Sequence, residues 1–173
     1  MNYICKIESP VGLLTVNSNG VSITGLWIEG QKYFAASLEN DAIERDLPIF
    51  EDTRKWLNRY FDGDNPAFDL PLDPKGGTFR QSVWQILRTI PYGDTITYGE
   101  IAKRLEAQTK NKRVSPRAVG GAVGHNPISI IIPCHRVIGS NGSLTGYAGG
   151  INNKIYLLKL ENADISSKFY VPN

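Results

Sequence analysis

Sulfur and imidazole side chains are scarce in this chain, whose 173 residues include two cysteines, one methionine and two histidines. The cysteines, Cys5 and Cys134, lie far apart and show no framework spacing, which argues against a disulfide-stapled secreted scaffold. Two isolated thiols fit a reducing compartment better, because each can stay free there.

Long hydrophobic runs are also missing. No apolar stretch approaches the length of a membrane span, and residues 1–8 lack the basic and apolar segments of a signal peptide. Hydrophobic residues make up 41% of the chain, which is enough to bury the core of one large domain or two small ones. We therefore expect a cytoplasmic protein without membrane contact.

The net charge of +2 conceals two halves of opposite sign. Residues 1–73 carry 6 Lys and Arg against 12 Asp and Glu, a net charge of −6, whereas residues 74–173 carry 13 against 5, a net charge of +8. Clustered cations in the second half suggest contact with a polyanion such as nucleic acid. The alternative is that the acidic half docks onto the basic half.

Turn-forming residues at 62–66 and 71–77 predict a linker between these halves, which we take as domains at 1–73 and 74–173. Short, partly alternating runs at 3–7, 13–17 and 23–28 predict a small antiparallel sheet. Apolar residues at helical spacing over 47–61 predict an amphipathic helix that covers this sheet.

The second half predicts three helices. Apolar side chains recur at helical spacing over 78–90. Thr97 and Glu100 form a capping-box pattern that opens a helix to about residue 105. Ser115 and Pro116 supply the N-cap and first position of a third helix, over 117–124. The last two helices, joined by a basic turn, are typical of a helix-turn-helix.

The third predicted helix is rich in glycine, and each glycine costs roughly 1 kcal/mol relative to alanine. One explanation is close packing against a neighbouring element, which leaves no room for a side chain. The other is that a helix almost without side chains enters a narrow groove of DNA, with Arg117 at its tip. Both can hold at once.

A thiol, an imidazole and a guanidinium follow one another at Cys134, His135 and Arg136. A thiol flanked by cations loses its proton more easily and becomes a nucleophile, so this triplet predicts a reactive cysteine. The alternative is an inert cysteine buried in an apolar stretch.

Five ordered blocks of the chain resemble O6-alkylguanine-DNA alkyltransferases. The blocks are Arg117-Ala118-Val119-Gly120-Gly121-Ala122-Val123, Asn126-Pro127, Ile132-Pro133-Cys134-His135-Arg136-Val137, Gly146-Tyr147-Ala148-Gly149-Gly150, and Leu157-Leu158 with Glu161. The resemblance is strong from about residue 78 to residue 161, while residues 1–73 match only in general plan. It implies an α/β plus α fold. The first domain would be a small ribonuclease-H-like unit with an antiparallel sheet, and the second a mostly helical, winged-helix-like domain with a helix-turn-helix.

The resemblance also implies the chemistry. Cys134 would be the thiolate that takes an alkyl group from O6 of guanine, or from O4 of thymine, in double-stranded DNA. His135 would act through a water as its base, and Glu161 would hold the imidazole. Asn126 would order the turn that carries the site, which is also the simple interpretation of any Asn before Pro. A thioether is a poor leaving group, so each molecule would act once, without a cofactor.

Further residues would bind DNA in its minor groove and hold the flipped nucleotide. Arg117 would fill the space of the extruded base. Tyr98 would stand near that nucleotide, although a tyrosine at a helix start is as often a core residue. The matching positions that would form the groove-facing helix and the guanine pocket are Ala118, Gly120, Gly121, Val137, Tyr147 and Ala148.

Two departures from the family pattern stand out. Ala148 replaces the serine of many relatives, so a hydroxyl contact to O6 is missing. The structural zinc of animal relatives is not expected, because Cys5 has no cysteine or histidine partners nearby. Other interpretations are a non-catalytic protein that recognises alkylated DNA or regulates transcription, and a thiol protease, which needs a distant histidine. The family resemblance suggests a monomer.

Overall fold

A computed structural model describes residues 1–38, 40–110, 112–144 and 146–165. The chain forms two compact units. The first contains Met1–Lys75 together with Pro127–Ser129, and the second contains Gly76–Asn126 and the chain from Ile130 onward. Within the described ranges, no helix has the length and apolarity needed to cross a membrane.

A four-stranded sheet forms the centre of the first unit. Its strands are β1 (Tyr3–Ile7), β2 (Leu14–Ser18), β3 (Ile23–Ile28) and β4 (Ile43–Glu44), in the order β3-β2-β1-β4. The first three strands pair antiparallel, which confirms the predicted sheet to within one residue at each end. The fourth strand pairs parallel to β1 and was not predicted, because two exposed residues carry no periodic pattern.

Helix α1 (Pro48–Phe61) follows the sheet and confirms the predicted amphipathic helix. Proline at its first position suits the start of a helix, because the missing N–H has no partner there in any case. Its apolar face buries Phe50, Leu57 and Tyr60, each at most 1% exposed. Strands β2 and β3 are buried along their whole length, so they form the core with these side chains.

Three residues distant in sequence belong to this first unit. The Leu26 N–H donates to the Pro127 carbonyl at 2.8 Å, and the Ser129 N–H donates to the Leu26 carbonyl at 2.9 Å. The Ser129 hydroxyl also lies 3.2 Å from Gln31 Oε1. Strand β3 therefore extends its hydrogen bonding to a segment that the composition of the chain assigns to the other half.

The second unit is mostly helical. Its elements are α2 (Thr78–Leu87), β5 (Ile96–Thr97), α3 (Tyr98–Gln108), α4 (Pro116–Gly124), a 3₁₀ turn (Cys134–Arg136), β6 (Val137–Ile138) and α5 (Ile151–Leu160). Strands β5 and β6 pair parallel. The three predicted helices are confirmed, although α2 ends three residues before the predicted end at Ile90 and α3 runs three residues past Leu105.

Side-chain caps set the starts of α3 and α4. Thr97 Oγ1 accepts a hydrogen bond from the Glu100 N–H at 3.1 Å, and Ser115 Oγ accepts one from the Ala118 N–H at 3.1 Å. These bonds satisfy amide groups that have no partner inside the helix. Trp84 of α2 is 1% exposed and donates from Nε1 to the Ala122 carbonyl at 2.9 Å, which fixes α4 against α2.

Candidate active site

Cys134 begins the 3₁₀ turn and is 4% exposed. The turn is held by its own backbone, because the Cys134 N–H donates to Ile132 and the Arg136 N–H donates to Pro133, at 2.8 and 3.0 Å. Asn126, at the end of α4, donates from Nδ2 to the Ile132 carbonyl at 2.9 Å. Its side chain also hydrogen-bonds the Cys134 thiol. The amide therefore connects the end of the helix-turn-helix to the sulfur.

A buried carboxylate lies beside this turn. Glu161, at the end of α5, accepts a hydrogen bond from His135 Nε2 at 2.6 Å. Arg136 donates to the same carboxylate from Nε at 2.7 Å and from Nη2 at 3.1 Å, and donates from Nη1 to the Ile90 carbonyl at 2.7 Å. The side chains of His135 and Glu161 are fully buried. All three guanidinium nitrogens of Arg136 therefore donate hydrogen bonds within this site.

The network fixes the protonation of the imidazole. Burial opposes ionisation of Glu161, but hydrogen bonds and charge from His135 and Arg136 lower its pKa to about 2. Burial lowers the pKa of His135, against the opposing effect of Glu161, so the ring is neutral near pH 7. Because the carboxylate carries no proton, we infer that the His135 proton is on Nε2, which leaves Nδ1 as an acceptor.

The sequence argument for a low thiol pKa is wrong in its cause and in its direction. Burial raises the pKa of Cys134, and the effects that oppose it come from the Asn126 side chain, from Lys154 and from backbone N–H groups. The neighbouring side chains do not stabilise the thiolate as expected, because the charge of Arg136 is paired with Glu161 and the imidazole of His135 is neutral.

Lys154 is a residue that sequence reasoning missed. It lies in the first turn of α5, is 1% exposed, and donates from Nζ to the Val137 carbonyl at 2.5 Å. Burial lowers its pKa to about 8, while the charge of Cys134 raises it. Nothing in the neighbouring sequence predicts that this lysine is buried. It comes close to the nucleophile only through the tertiary placement of α5. Arg136 was noticed as a neighbour of the thiol, but its bond to Glu161 could not be seen from spacing.

Two tyrosines border the thiol. Burial, and then the charge of Cys134, raises the pKa of Tyr98 and raises that of Tyr147 well above its ordinary value. The Tyr147 ring lies edge-on to His135, with centroids 6.4 Å apart. Its hydroxyl is buried and has no hydrogen-bond partner among the described residues.

Gly146 leaves room for Tyr98. A Cβ on Gly146 would lie 3.0 Å from the Tyr98 hydroxyl, and a Cβ on Gly120 would lie 3.9 Å from its ring. Gly146 also has φ of +93°, which a side chain rarely adopts. The aromatic ring is thus packed between α4 and the loop that precedes α5.

Helix α4 presents Arg117, Ala118 and Gly121 to solvent. A Cβ on Gly121 would meet no atom within 4 Å, so the close-packing explanation for this glycine is wrong. Gly120 is only in ordinary contact distance of Tyr98, and Gly124 also faces open space. Packing within this unit therefore does not explain why Gly121 and Gly124 are glycines.

The predicted site residues fall into two groups. Cys134, His135, Glu161 and Asn126 form one buried network, with Val137 directly after the turn and Tyr98 and Tyr147 close to the sulfur. Arg117, Ala118 and Gly121 lie on the exposed side of α4. Ala148 is half-buried in the loop before α5.

Metal binding finds no support in the described ranges, where no cluster of three metal-ligating side chains occurs. His125 terminates α4, and its Nδ1 lies 2.7 Å from the Gly121 carbonyl of the same helix. This contact gives the histidine a capping role.

Comparisons with known proteins identify both units. The family model described as "6-O-methylguanine DNA methyltransferase, DNA binding domain" matches residues 78–163, and the "ribonuclease-like domain" model of the same family matches residues 2–74. The methylated-DNA–protein-cysteine methyltransferase of Haemophilus influenzae is 46% identical over 160 residues, covering 92% of this chain and 86% of that protein. The Methanosarcina acetivorans protein of the same name is 44% identical, covering 93% and 99%.

Solved structures agree with these relatives. The crystal structure of Mycobacterium tuberculosis OGT in complex with DNA superposes with a TM-score of 0.81 and 43% identity, covering 97% of this chain and 99% of that one. The fold class predicted from sequence is confirmed by these matches. Since both family models match and relatives above 40% identity span nearly the whole chain, the chain belongs to the 6-O-methylguanine DNA methyltransferase family.

Proposed function

We propose that this protein repairs DNA by moving an alkyl group from O6 of guanine, or from O4 of thymine, to its own Cys134. The observation that carries the proposal is a buried thiol on the same turn as a neutral imidazole bound to a carboxylate. Relatives named methylated-DNA–protein-cysteine methyltransferase support the same reaction.

The chemistry is a direct displacement. Nδ1 of His135 takes the thiol proton through a water molecule, and Glu161 stabilises the imidazolium that forms. The sulfur attacks the methyl carbon, so an S–C bond forms while the C–O6 bond breaks and its electron pair passes to the guanine ring. The proton then returns to guanine at N1, which leaves S-methylcysteine and ordinary guanine.

The product limits each molecule to one reaction. A thioether is a poor leaving group, and Cys5 belongs to the other unit. No second thiol accompanies Cys134 to accept the methyl group, so the alkylated protein is the end state. No cofactor takes part in this scheme.

The exposed side of α4 is proposed to enter the minor groove of double-stranded DNA. Arg117 stacks in the space that the flipped nucleotide leaves, because its planar cation fits where a base pair was. Ala118, Gly120 and Gly121 let the backbone of α4 come close to the sugar-phosphate chain, and the open space at Gly121 supports this role. The solved DNA complex of the Mycobacterium tuberculosis relative supports DNA as the partner.

The pocket for the flipped base is proposed to lie between the tyrosines and the loop before α5. Tyr98 and Tyr147 form its walls, and the backbone at Val137 and Ala148 reads the edge of guanine. Since Ala148 has no hydroxyl, only a backbone amide is left at this position to assist departure of O6. We expect this pocket still to accept O6-methylguanine.

The wider setting is also proposed. Residues 1–73 and 74–173 act as the accessory and the repair domain, and the protein works as a monomer in the cytoplasm. Two unpaired thiols support a reducing compartment.

The deciding experiment is mass spectrometry of the intact protein and of its peptides after mixing with excess duplex that contains one O6-methylguanine. We expect one added methyl group, on the Cys134 peptide and in a one-to-one ratio with repaired guanine. Tight binding without any gain in mass would instead favour a protein that recognises lesions without repairing them.

A further inference from the structure

Residues 127–129 form a short segment that the proposed reaction leaves without a role. They belong to the first unit, although the chain on either side of them belongs to the second. On one side lies Asn126, whose amide hydrogen-bonds the Cys134 thiol, and on the other side the chain leads to the turn that carries this thiol. Peptide bonds therefore connect the segment at both ends to parts of the active site.

A buried side-chain pair holds this segment in the first unit. Oε1 of Gln31 accepts hydrogen bonds from the Ile28 N–H at 2.7 Å and from the Ser129 hydroxyl at 3.2 Å. Gln31 is 7% exposed and Ser129 is 2% exposed, so water competes little for these bonds. The backbone bonds of Leu26 with residues 127 and 129 can form with other side chains at position 129. The bond to Gln31, in contrast, depends on a hydroxyl there.

Backbone strain begins directly after this pair. Ile130 is 1% exposed and has φ of +71°, in the left-handed region that a β-branched residue rarely adopts. Such a conformation persists only where the surrounding structure holds the chain in place. Beyond Ile130, the Ile132 carbonyl accepts hydrogen bonds from Asn126 Nδ2 at 2.9 Å and from the Cys134 N–H at 2.8 Å. Before it, the chain is held at Ser129.

The hydrogen bond from Asn126 to Ile132 closes a small loop, and residues 127–129 are the tip of this loop. The tip is fixed to β3 and to Gln31, while the base of the loop carries the amide that bonds the sulfur. Because the strained residue lies between tip and base, movement of the tip changes the backbone on both sides of the loop. The position of the tip therefore affects the orientation of the Asn126 amide.

We propose that Gln31 and Ser129 are positioning residues of the transfer reaction, which hold the tip of this loop so that the Asn126 amide stays aligned with the Cys134 thiol. This inference rests on the proposed function, in which Cys134 accepts the alkyl group. It gives two side chains of the first unit a role in the chemistry of the second.

The alternative is that this pair contributes only to the stability of the first unit, and a second buried pair of the same sheet provides the comparison. Asn17 of β2 donates from Nδ2 to Thr24 Oγ1 of β3 at 2.7 Å. The two residues are 3% and 5% exposed. Thr24→Val therefore removes a buried hydroxyl from the first unit while the Gln31–Ser129 pair remains, which makes it a matched control for Ser129→Ala.

The test compares wild type with Ser129→Ala, Ser129→Thr, Thr24→Val, Asn126→Ala and the double variant of Ser129→Ala with Asn126→Ala. Methyl transfer from a duplex that contains O6-methylguanine is followed over a range of duplex concentrations. This experiment gives the rate at saturation and the half-saturating concentration separately. In parallel, alkylation of the Cys134 peptide by iodoacetamide is followed by mass spectrometry.

We expect Ser129→Ala to lower the transfer rate at saturation by about threefold to tenfold, because a misaligned group slows the chemical step. The half-saturating concentration should stay the same, since DNA binding is unchanged. Ser129→Thr should keep most of the rate, because its hydroxyl replaces that of serine. Thr24→Val should react like wild type. The iodoacetamide rates should rank the variants in the same order.

Coupling to Asn126 distinguishes positioning from folding. Asn126→Ala removes the amide that the loop aligns, so Ser129→Ala should have little further effect on either rate in that background. If the pair contributes only to stability, the effects of the two substitutions multiply. Multiplied effects, equal losses in Ser129→Ala and Thr24→Val, or wild-type rates in Ser129→Ala would each overturn the inference.

The two rates also separate this inference from the proposed function. Iodoacetamide measures the thiol whether or not DNA is repaired, so wild type that is alkylated but gains no methyl group contradicts the proposed function alone. Wild type that repairs DNA, beside Ser129→Ala with the same rates, contradicts the positioning role alone. If Ser129→Ala does not fold, Gln31→Met removes the same bond from its other side and takes its place in the comparison.

Discussion

Each structural unit holds one buried cysteine, and Cys5 and Cys134 are both 4% exposed. Burial raises the pKa of both thiols, that of Cys5 to about 11. Around Cys5, Arg54 lowers the pKa but Asp46 and Glu44 raise it again. Around Cys134, every further contribution lowers it. Equal burial thus leaves two thiols with opposite surroundings.

The polar groups of the two regions differ in the same way. Cys5 borders a cavity of about 270 Å³ whose charges face solvent, and the Arg54–Asp46 pair spans 3.4 Å with Asp46 91% exposed. In the other unit, His135 and Glu161 are fully buried 2.6 Å apart. Water weakens the first set of interactions and is excluded from the second. Burial of the thiol does not distinguish the two cysteines. The difference is that Cys134 lies beside buried charged groups, whereas the charged groups around Cys5 are exposed to solvent.

The largest expected difference is in alkyl transfer. Cys134→Ala should abolish the transfer of methyl groups, because it removes the thiol beside His135, while Cys5→Ala should leave the rate unchanged, because Cys5 belongs to the other unit. The measurement is the gain in mass after reaction with methylated duplex, together with DNA affinity as a check of folding. Transfer that persists in Cys134→Ala would remove this cysteine from the mechanism.

The two carboxylates should differ next. Glu161→Gln breaks a buried pair with Arg136 and should lower the free energy of unfolding by about 3–5 kcal/mol. Asp46→Asn changes an exposed pair and should have no measurable effect. Urea unfolding at pH 7 compares them, and similar losses in both variants would contradict the distinction.

The pH dependence of Glu161 sharpens the same contrast. Its pKa is lowered from 4.5 to about 2, so its stabilising effect is complete above about pH 4.5 and is lost as the pH falls toward 2. Urea unfolding repeated between pH 2 and pH 6 should show this slope in wild type and a flatter one in Glu161→Gln. The same slope in both proteins would assign the acid sensitivity to other carboxyl groups.

A methyl group added to α4 should separate folding from DNA binding. Gly121→Ala meets open space and improves helix propensity by roughly 1 kcal/mol, so thermal stability should rise. Affinity for duplex DNA should fall by about tenfold, because the backbone can no longer come as close to the groove. Gly77→Ala adds a methyl group to open space before α2 and is the control. Unchanged DNA affinity in Gly121→Ala would remove α4 from the interface.

The smallest effect concerns helix starts. Helix α4 has a side-chain cap at Ser115, whereas α1 in the other unit begins at Leu47 without one. Ser115→Ala should therefore lower the free energy of unfolding by about 1 kcal/mol, and Ser115→Asn should restore most of it. Thermal unfolding of the three proteins measures this. An unchanged midpoint in Ser115→Ala would show that packing alone defines the start of α4.

Local signals explain what the sequence could predict. Strands β1 to β3 have alternating or apolar runs between turns. The starts of α3 and α4 are predicted by their N-cap residues, Thr97 and Ser115. The chemical type of the site followed from Cys134 and its neighbour His135, together with the family blocks. Side-chain roles within those blocks remain predictions until the variants are measured.

Long-range contacts explain what the sequence could not predict. The pairing of Arg136 with Glu161, 25 residues away, makes a cation unavailable to the adjacent thiol. Lys154 reaches the carbonyl of Val137 across 17 residues, and nothing in its neighbours marks it as buried. Helix α5 has only a weak apolar pattern, because its buried residues include a lysine. Periodicity cannot detect a charge that faces the core.

The hydrogen bonds of Leu26 with Pro127 and Ser129 have a consequence for protein engineering. A chimera made by exchanging residues 1–73 between two relatives would bring a new β3 but keep the old partner segment at residues 127–129, which lies shortly before the 3₁₀ turn. A chimera joined at the linker therefore takes the two parts of the first structural unit from different parents. The natural module for recombination in this fold is residues 1–75 inherited together with residues 127–129.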